Sequence, residues 1–437
     1  MNRFTPITSA ILLLLSAEVF ANNNTTIQFQ VGVNNMANTD QADPTTHNNL
    51  VTQTQFGVSN NSDASQTTGT TNSSTTHLQV GELNVSESFQ DQFTMLSSTF
   101  INQIGEANQW ISSQTSTTFS TAFVNQVGSM NAGGTSQTST TAGSAWANQI
   151  GTMNNSSIVQ FGSAFISAFS NQVGSMNENE ILQTSANFSL GSVNQLGESN
   201  NATIRQLETT LSIATVSQNG SLNNGSIDQT NTIFSSASIF QVGESNISES
   251  NQDQNTLLSS IFINQFGQAN QWVSSQTLTT YSNASINQTG SMNAGGTSQT
   301  STIAGSALVN QIGTMNSSSI VQFGTKFISA FSNQVGSMNE SEILQSSTNF
   351  SIGSVNQLGE SNNAVIKQEG GTTLSSATIN QAGVMNMAEV TQTGATLSVA
   401  TTLQLGSSNI HSTNQTGTRQ VAIVAQIGDG NIGSITQ

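Results

Sequence analysis

The sequence predicts an all-β fold, a β-solenoid of about 18 stacked turns of about 23 residues, each turn holding two strands. Three observations lead to this prediction. A motif of the form Gln-x-Gly-x-x-Asn-x5-Gln recurs through nearly the whole chain. Charged residues are only 6% of the 437 residues, so an ordinary globular surface is not expected. The only prolines are Pro6 and Pro44, so almost every backbone N–H can join a β-ladder.

The repeat is complete in every copy. With its first Gln taken as position 0, Gly stands at +2, Asn at +5 and a second Gln at +11. Position 0 is occupied by Gln30, Gln55, Gln79, Gln103, Gln126, Gln149, Gln172, Gln195, Gln218, Gln241, Gln265, Gln288, Gln311, Gln334, Gln357, Gln381, Gln404 and Gln426. Such regularity predicts that like residues of successive copies lie directly over one another.

Stacked Gln and Asn side chains can hydrogen-bond from one turn to the next, as in amyloid ladders. Buried amides without such partners would each cost about 1–3 kcal/mol, so the ladder is favourable only in register. Four regular copies give the predicted structural residues: Gln103, Gly105, Asn108, Gln114, Gln126, Gly128, Asn131, Gln137, Gln195, Gly197, Asn200, Gln206, Gln357, Gly359, Asn362 and Gln368.

Each copy consists of two similar halves, because its two Gln are 11 residues apart and the next Gln follows about 12 later. A half of this length fits one strand of about five to seven residues and a tight turn. Gly and Asn tolerate positive φ, so we expect Gly-x-x-Asn to form the first turn, with positive φ at both residues.

Alternation along each strand predicts an inner and an outer face. Positions −6, −4, −2 and 0 carry Ser, Ala, a β-branched residue and Gln in many copies, as at Ala122 and Ile101. On the second strand, positions +7, +9 and +11 carry small residues, Ile or Thr, and Gln, as at Ile158. None of these positions is charged, whereas Glu178 and Glu180 have the opposite parity. The first set is therefore predicted to face inward.

Aromatic residues recur at two positions of outward parity. Position −7 holds Phe119, Phe165, Phe188, Phe234, Tyr281, Phe327 and Phe350, and position −3 holds Phe100, Phe123, Trp146, Phe169, Phe262 and Phe331. Two interpretations remain open. A bend near −7 turns some rings inward, or the rings form an outer apolar stripe where fibres bundle or meet a surface.

The chain divides into three predicted parts. Residues 1–21 have the features of a secretion signal, with Arg3, the apolar run from Ile11 to Leu15 and the small residue Ala21. Residues 22–78 form irregular N-terminal turns, and residues 79–437 form the regular solenoid, in which 79–206 is duplicated as 241–368. No later stretch has the length of a membrane span, so we expect a secreted, extracellular protein.

Composition argues against several classes of function. There is no Cys, and only four Lys or Arg follow residue 21, so we expect neither disulfides nor nucleic-acid binding. His47, His77 and His411 are isolated in the sequence, so no metal or cofactor is expected. No catalytic arrangement is recognisable, and the sequence predicts that the protein is not an enzyme.

The repeat resembles that of the curlin family, Ser-x5-Gln-x-Gly-x-x-Asn-x-Ala-x3-Gln. The copies 189–206 and 351–368 match it in full. The resemblance implies curli-like amyloid fibres on the cell surface, with other copies of the chain and curli-type secretion and nucleation proteins as partners. The chain departs from the family in its many repeats and in residues 22–26, which lack a Gly-rich secretion segment.

The last turn is the predicted assembly end, formed by Gln426, Gly428, Asn431 and Gln437. An unpaired strand is a template for another chain, so we expect growth by end-to-end stacking. Removing residues 404–437 is expected to slow fibre growth sharply. The alternative is a monomeric β-solenoid that serves as a cell-surface adhesin or binding rod.

Overall fold

A computed structural model describes residues 23–437, and the predicted secretion signal, residues 1–21, lies outside them. The described residues form 36 β-strands and no helix. The strands alternate along the chain between two parallel sheets, which gives about 18 turns and confirms the predicted β-solenoid. Two compact units are present. The first comprises the described residues up to Phe188 together with the separate segment Val193–Glu198. The second comprises Ser189–Ser192 and Ser199–Gln437.

The first sheet contains the strand that leads into position 0 of each repeat. Its strands are Thr25–Val33, Leu50–Val58, Ser74–Glu82, Ser98–Glu106, Thr121–Ser129, Ser144–Thr152, Ser167–Ser175, Leu190–Glu198, Ile213–Ser221, Ser236–Glu244, Ser260–Gln268, Asn283–Ser291, Ile303–Thr314, Lys326–Ser337, Ile352–Glu360, Ser376–Val384, Val399–Ser407 and Val421–Ile427. Most of them have nine residues, longer than the five to seven predicted, because the strand continues through the Gly at +2.

The second sheet contains the strand that leads into position +11. Its strands are Met36–Asp40, Asn61–Gln66, Val85–Asp91, Gln109–Thr115, Ala132–Thr138, Asn155–Phe161, Glu178–Thr184, Asn201–Leu207, Asn224–Thr230, Ile247–Asp253, Gln271–Thr277, Ala294–Thr300, Ser317–Phe323, Glu340–Ser346, Asn363–Glu369, Met387–Thr393, Ile410–Gln415 and Ile432–Thr436. Most of these strands have seven residues, as predicted.

Neighbouring strands pair so that equivalent repeat positions are partners. In the first sheet Gln103 pairs with Gln126. In the second sheet Gln114 pairs with Gln137. Repeats of 24 or 25 residues keep the same register, as in the pairing of Gln30 with Gln55, because the extra residues lie in the connection between sheets.

The core lies between the two sheets and contains the predicted inner face. Ile101, Ala122 and Ile158 have no exposed surface, and Gln103 is equally buried. Residues of the opposite parity are half-buried or exposed along both sheets. A core with so many amides and hydroxyls depends on hydrogen bonds as much as on apolar burial.

The connection after the first sheet differs from the prediction at one residue. Positive φ occurs at the Gly of +2 and at position +4, as at Gly128 (φ 123°) and Met130 (φ 54°), and not at the Asn of +5. The prediction of positive φ at Asn131 was therefore wrong. The left-handed residue is the one before it, which leaves the Asn side chain directed into the buried corner.

The connection after the second sheet brings a further column of side chains into the core. In the repeats of 23 residues, position +14 is Thr, Ser or Ala and is buried, as at Thr117 and Thr140. The Thr140 hydroxyl donates to the carbonyl oxygen of Gln160 at 3.2 Å. Residues at +13 and +16 on either side have positive φ, as at Ser139 and Ala142, and this bend directs Thr140 inward.

Among residues 23–437 there is no helical segment with the length and hydropathy of a transmembrane span.

Candidate functional site

Two columns of Gln amides run through the core in the same direction. At position 0, Gln103 Nε2 donates to Gln126 Oε1 at 2.8 Å, and Gln126 Nε2 donates to Gln149 Oε1 at 2.7 Å. At position +11, Gln114 Nε2 donates to Gln137 Oε1 at 2.8 Å. Each Nε2 also donates to a backbone carbonyl, such as Val85 O for Gln103. Because equivalent Gln residues lie in register in successive turns, each buried amide has hydrogen-bond partners.

The Asn column at +5 runs in the opposite direction. Asn131 Nδ2 donates back to Asn108 Oδ1 at 2.9 Å and forward to the carbonyl oxygen of Gly151 at 2.9 Å. The backbone N–H of Asn131 also donates to Asn108 Oδ1, at 3.2 Å. Each amide therefore joins three successive turns at the corner between the sheets.

The Gly column at +2 is required by the closeness of successive turns. A Cβ built on Gly105 would lie 1.9 Å from the carbonyl oxygen of Gly128, far inside van der Waals contact. The φ of Gly105 is 126°, which L side chains rarely adopt. Close approach and backbone conformation thus both select Gly at this position.

The predicted residues of the later copies have the same contacts within each unit. In the first unit, Gln195 Oε1 accepts from Gln172 at 2.9 Å, and the Gly197 carbonyl accepts from Asn177 at 2.9 Å. In the second unit, Gln206 donates to Gln229 at 2.9 Å.

The full-match copy of the second unit repeats this arrangement. Gln357 donates to Gln381 at 2.9 Å, and Gln368 donates to Gln392 at 2.8 Å. Asn200 and Asn362 donate forward to the carbonyl oxygens of the Gly at +2 in the next turn, Gly220 and Gly383.

The side chains of the last described turn accept hydrogen bonds from the turn before it. Gln426 Oε1 accepts from Gln404 at 2.8 Å, while its Nε2 donates to the carbonyl oxygens of Ile410 and Asn431. Gln437 Oε1 likewise accepts from Gln415 at 3.1 Å. Several apolar side chains of this turn are exposed, among them Ile432, at 79%. Gly428 closes the turn, with a φ of 105°.

The first described turn has the complementary arrangement. Gln30 Nε2 donates to Gln55 Oε1 at 2.6 Å, so its own Oε1 lies on the side away from the second turn. Asn35 Oδ1 accepts from Asn60, and Asn35 Nδ2 donates to the carbonyl oxygen of Gly57 at 3.0 Å. Apolar side chains such as Ile27 and Val33 are exposed in this turn.

The histidines are separate structural residues. His77 is fully buried, with Nδ1 2.8 Å from Ser62 Oγ and Nε2 2.9 Å from Ser88 Oγ. Burial lowers the pKa of His77 to about 3, so the ring is neutral at physiological pH. His411 is also buried, and desolvation lowers its pKa, whereas His47 is half-buried in a connection.

Charged side chains lie on the outer face of the second sheet. The pairs Glu178/Glu180 and Glu340/Glu342 are exposed there. Two ion pairs occur on this face, Arg205 with Asp228 at 3.9 Å and Lys367 with Glu389 at 3.1 Å. Within residues 23–437 no three His, Asp or Glu side chains come together as a metal site would require.

Both aromatic columns face outward, so a bend that turns rings inward at −7 is not present. Phe119, Phe165 and Phe350 are more than half exposed, and each has a positive φ near 50°. At −3, Phe100 and Phe123 stack with ring centroids 5.1 Å apart. The left-handed backbone at −7 explains why these rings face outward, because the chain turns at this residue with its side chain on the outside of the turn.

Sequence reasoning missed an outer amide column at position −1. Asn102, Asn125 and Asn148 donate in succession, each Nδ2 lying 2.7 Å from the next Oδ1. The recurrence of Asn before the first Gln was a readable signal for this column. The buried residues at +14 were also missed, although Thr recurs there.

No family model matches the chain, and no curated protein matches its sequence.

Proposed function

We propose that this protein is a structural subunit of curli-like extracellular fibres, which grow by end-to-end stacking of turns and serve as biofilm matrix and in surface adhesion. The curlin-like repeat and the predicted secretion signal support an extracellular role. The observation that carries the proposal is that each amide column keeps one direction along the stack, because this makes the two terminal turns complementary.

The complementarity can be followed atom by atom. Both Gln columns donate toward higher residue numbers, so the last turn offers the Nε2 groups of Gln426 and Gln437. The first turn offers acceptors, such as Gln30 Oε1. A first turn stacked on a last turn extends both columns and lets Asn35 donate to Asn431, as Asn60 donates to Asn35.

Stacking would also cover apolar surface. Ile27, Phe29 and Val31 in the first turn and Ile423 and Ile427 in the last turn are exposed. Backbone groups of both terminal strands would gain ladder partners, which is how an exposed strand recruits another chain. Each added subunit restores an end of the same kind, so growth is repetitive.

The test is seeded elongation of the mature chain, followed by thioflavin T fluorescence. The variant carries Gln426→Glu and Gln437→Glu, which place carboxylates where amide donors would meet acceptors. The control is Ser434→Glu, an exposed residue of the same turn. We expect elongation to fall at least tenfold in the double variant, equivalent to about 1.4 kcal/mol, and to stay near the original rate in the control.

Equal elongation by the double variant and the control would contradict growth through these amides. Purified mature protein that stays monomeric and gives no reflection at about 4.7–4.8 Å would remove the fibre proposal and favour the binding rod.

A further inference from the structure

The outer faces of the two sheets differ in charge over most of their width. Five first-sheet strands end in an exposed Glu at position +3: Glu82, Glu106, Glu198, Glu244 and Glu360. On the first sheet, outward positions −5, −3, −1 and +1 hold no Asp, Glu, Lys or Arg in any repeat. The outward positions of the second sheet hold basic residues only at Arg205 and Lys367. They hold acidic residues at Asp40, Asp63, Glu87, Asp91, Glu178, Glu180, Asp228, Glu249, Asp253, Glu340, Glu342, Glu369 and Glu389.

Two of the uncharged outward positions of the first sheet, −3 and +1, carry apolar side chains in many repeats. At −3, Phe123 and Trp146 have ring centroids 4.7 Å apart, and Trp146 and Phe169 are 6.2 Å apart. At +1, aliphatic side chains such as Ile104 and Ile150 are exposed. In the second unit the +1 column is again mostly apolar, with Phe266, Ile312, Val335 and Leu358 among its residues. Position −3 is mixed there, because Phe262, Leu308 and Phe331 lie among Ser and Thr residues.

The amides of the column between them are already bonded to one another along the stack. Asn125 and Asn148 each accept one amide hydrogen bond and donate another along the stack, at 2.7 Å. In the second unit Asn310 donates to Asn333 at 2.8 Å. Amides already paired in this way can be taken out of water at much lower cost than unpaired ones.

We propose that the outer face of the first sheet is a lateral docking surface for a second copy of this chain. A twofold axis parallel to the stack would place the aromatic column at −3 of each copy on the aliphatic column at +1 of the other. The Asn columns would then meet at the centre, as in the dry interface of a steric zipper.

The available area suits a stable pair. Ten strands of the first sheet lie in the second unit, from Ile213–Ser221 to Val421–Ile427. At about 4.8 Å per strand and about 20 Å along each strand, they present roughly 950 Å². A standard protein interface buries about 800 Å² on each partner.

The distribution of charge favours contact between two copies through the first sheet rather than the second. The chain has a net charge of −17, so two copies repel each other through the acidic outer face of the second sheet. On the outer face of the first sheet, positions −5 to +1 carry no charge, and the acidic residues lie only at the strand ends, at +3. Equal strand spacing in both copies lets the columns interdigitate along their length. This pairing is independent of end-to-end growth, since it uses a different surface.

The test compares two double variants of the mature chain. Phe123→Glu with Phe331→Glu adds one carboxylate to this face in each unit, and Ser136→Glu with Ser298→Glu adds the same charge to the outer face of the second sheet. Mass per unit length of the fibres is measured by scanning transmission electron microscopy. We expect paired solenoids in the original and control proteins and a twofold lower value in the Phe variant. Single solenoids in the original protein, or unchanged pairs in the Phe variant, overturn the proposal.

Smaller substitutions test the pairing in case the Phe→Glu variants do not fold. The chain has no Cys, so a spin label can be placed at Ser217→Cys, at position −1, with Ser226→Cys on the other face as control. Dipolar broadening from a label within about 20 Å is expected for Ser217→Cys only, because paired sheets lie about 10 Å apart. Equal broadening at both sites overturns the proposal, as does binding of unpaired protein to phosphatidylcholine vesicles through this face.

Discussion

The Cα of Gly128 lies so close to the next turn that a Cβ there would be 1.9 Å from the carbonyl oxygen of Gly151. We predict that Gly128→Ala lowers the free energy of unfolding by about 3 kcal/mol or more, because the turns must separate and the φ of 123° is strained for Ala. Guanidinium unfolding followed by circular dichroism measures the loss.

Gly162→Ala is the matched control. This Gly also has a positive φ, 59°, but the nearest atom to its Cβ position is Ser185 Oγ at 3.9 Å. Ser139 adopts the same conformation one turn earlier, so we expect a cost of about 1 kcal/mol or less. Similar losses in the two variants would show that the contact between turns is not the cause.

The tryptophans permit a comparison of buried and exposed positions. Trp110 and Trp272 are fully buried, whereas Trp146 is 45% exposed. We predict that Trp110→Ala costs about 3–5 kcal/mol and that Trp146→Ala costs about 1 kcal/mol or less, as measured by thermal unfolding. Both Trp110→Phe and Trp110→Ala remove a buried Nε1 that has no hydrogen-bond partner, but Trp110→Phe should cost less because the phenyl ring leaves a smaller cavity. A larger effect at Trp146 would contradict the assigned faces.

A carboxylate in the Gln column should destabilise the fold in a pH-dependent way. Gln149 Nε2 donates to Gln172 Oε1 and to the carbonyl oxygen of Ala132, and an ionised Glu can do neither. We predict that Gln149→Glu costs about 3 kcal/mol or more at pH 7. Burial would raise the pKa of this Glu above its unfolded value. The folded state would therefore bind the proton more tightly, and part of the loss should be regained at pH 4. Gln109→Glu, at an exposed position, should show neither effect in urea unfolding.

His77 should make the first unit less stable in acid. Its folded pKa of about 3 lies below the unfolded value of about 6.5, so protons bind more tightly to the unfolded chain as pH falls. The contribution of the neutral His77 ring to the free energy of unfolding is therefore fully present above pH 6.5. Between pH 6.5 and about pH 3 this contribution falls by about 1.4 kcal/mol per pH unit.

His77→Gln should flatten that part of the stability–pH profile, since Gln53 occupies the equivalent position one turn earlier. An unaltered slope in His77→Gln would contradict burial of a neutral ring.

The repeat predicted the turns, their register and the inner face because each depends on residues that recur at fixed spacing, such as Gln103 and Ile101. The conformation of the corner could not be predicted in the same way. Local propensity assigns left-handed backbone to Asn131 rather than Met130, but the corner requires the Asn amide inside, where it bonds to Asn108 and Gly151. Hydrogen bonding between turns outweighs the roughly 1–2 kcal/mol that a left-handed Met costs.

The outer Asn column was missed for a related reason. Alternation identifies the side on which Asn125 lies but does not reveal that an outward amide can bond to its own copies at 2.7 Å. The outward direction of Phe165 likewise depends on a backbone φ of 54°, which no side-chain pattern specifies.

The left-handed residue at +4 has a chemical consequence of its own. In many turns it is Met, and Met130, Met153, Met176, Met292 and Met315 all hold their thioethers exposed on the corner. Oxidation to the sulfoxide makes such a side chain polar, which disrupts a core but not a solvated edge. The solenoid should therefore consume peroxide along this edge while every buried ladder stays intact.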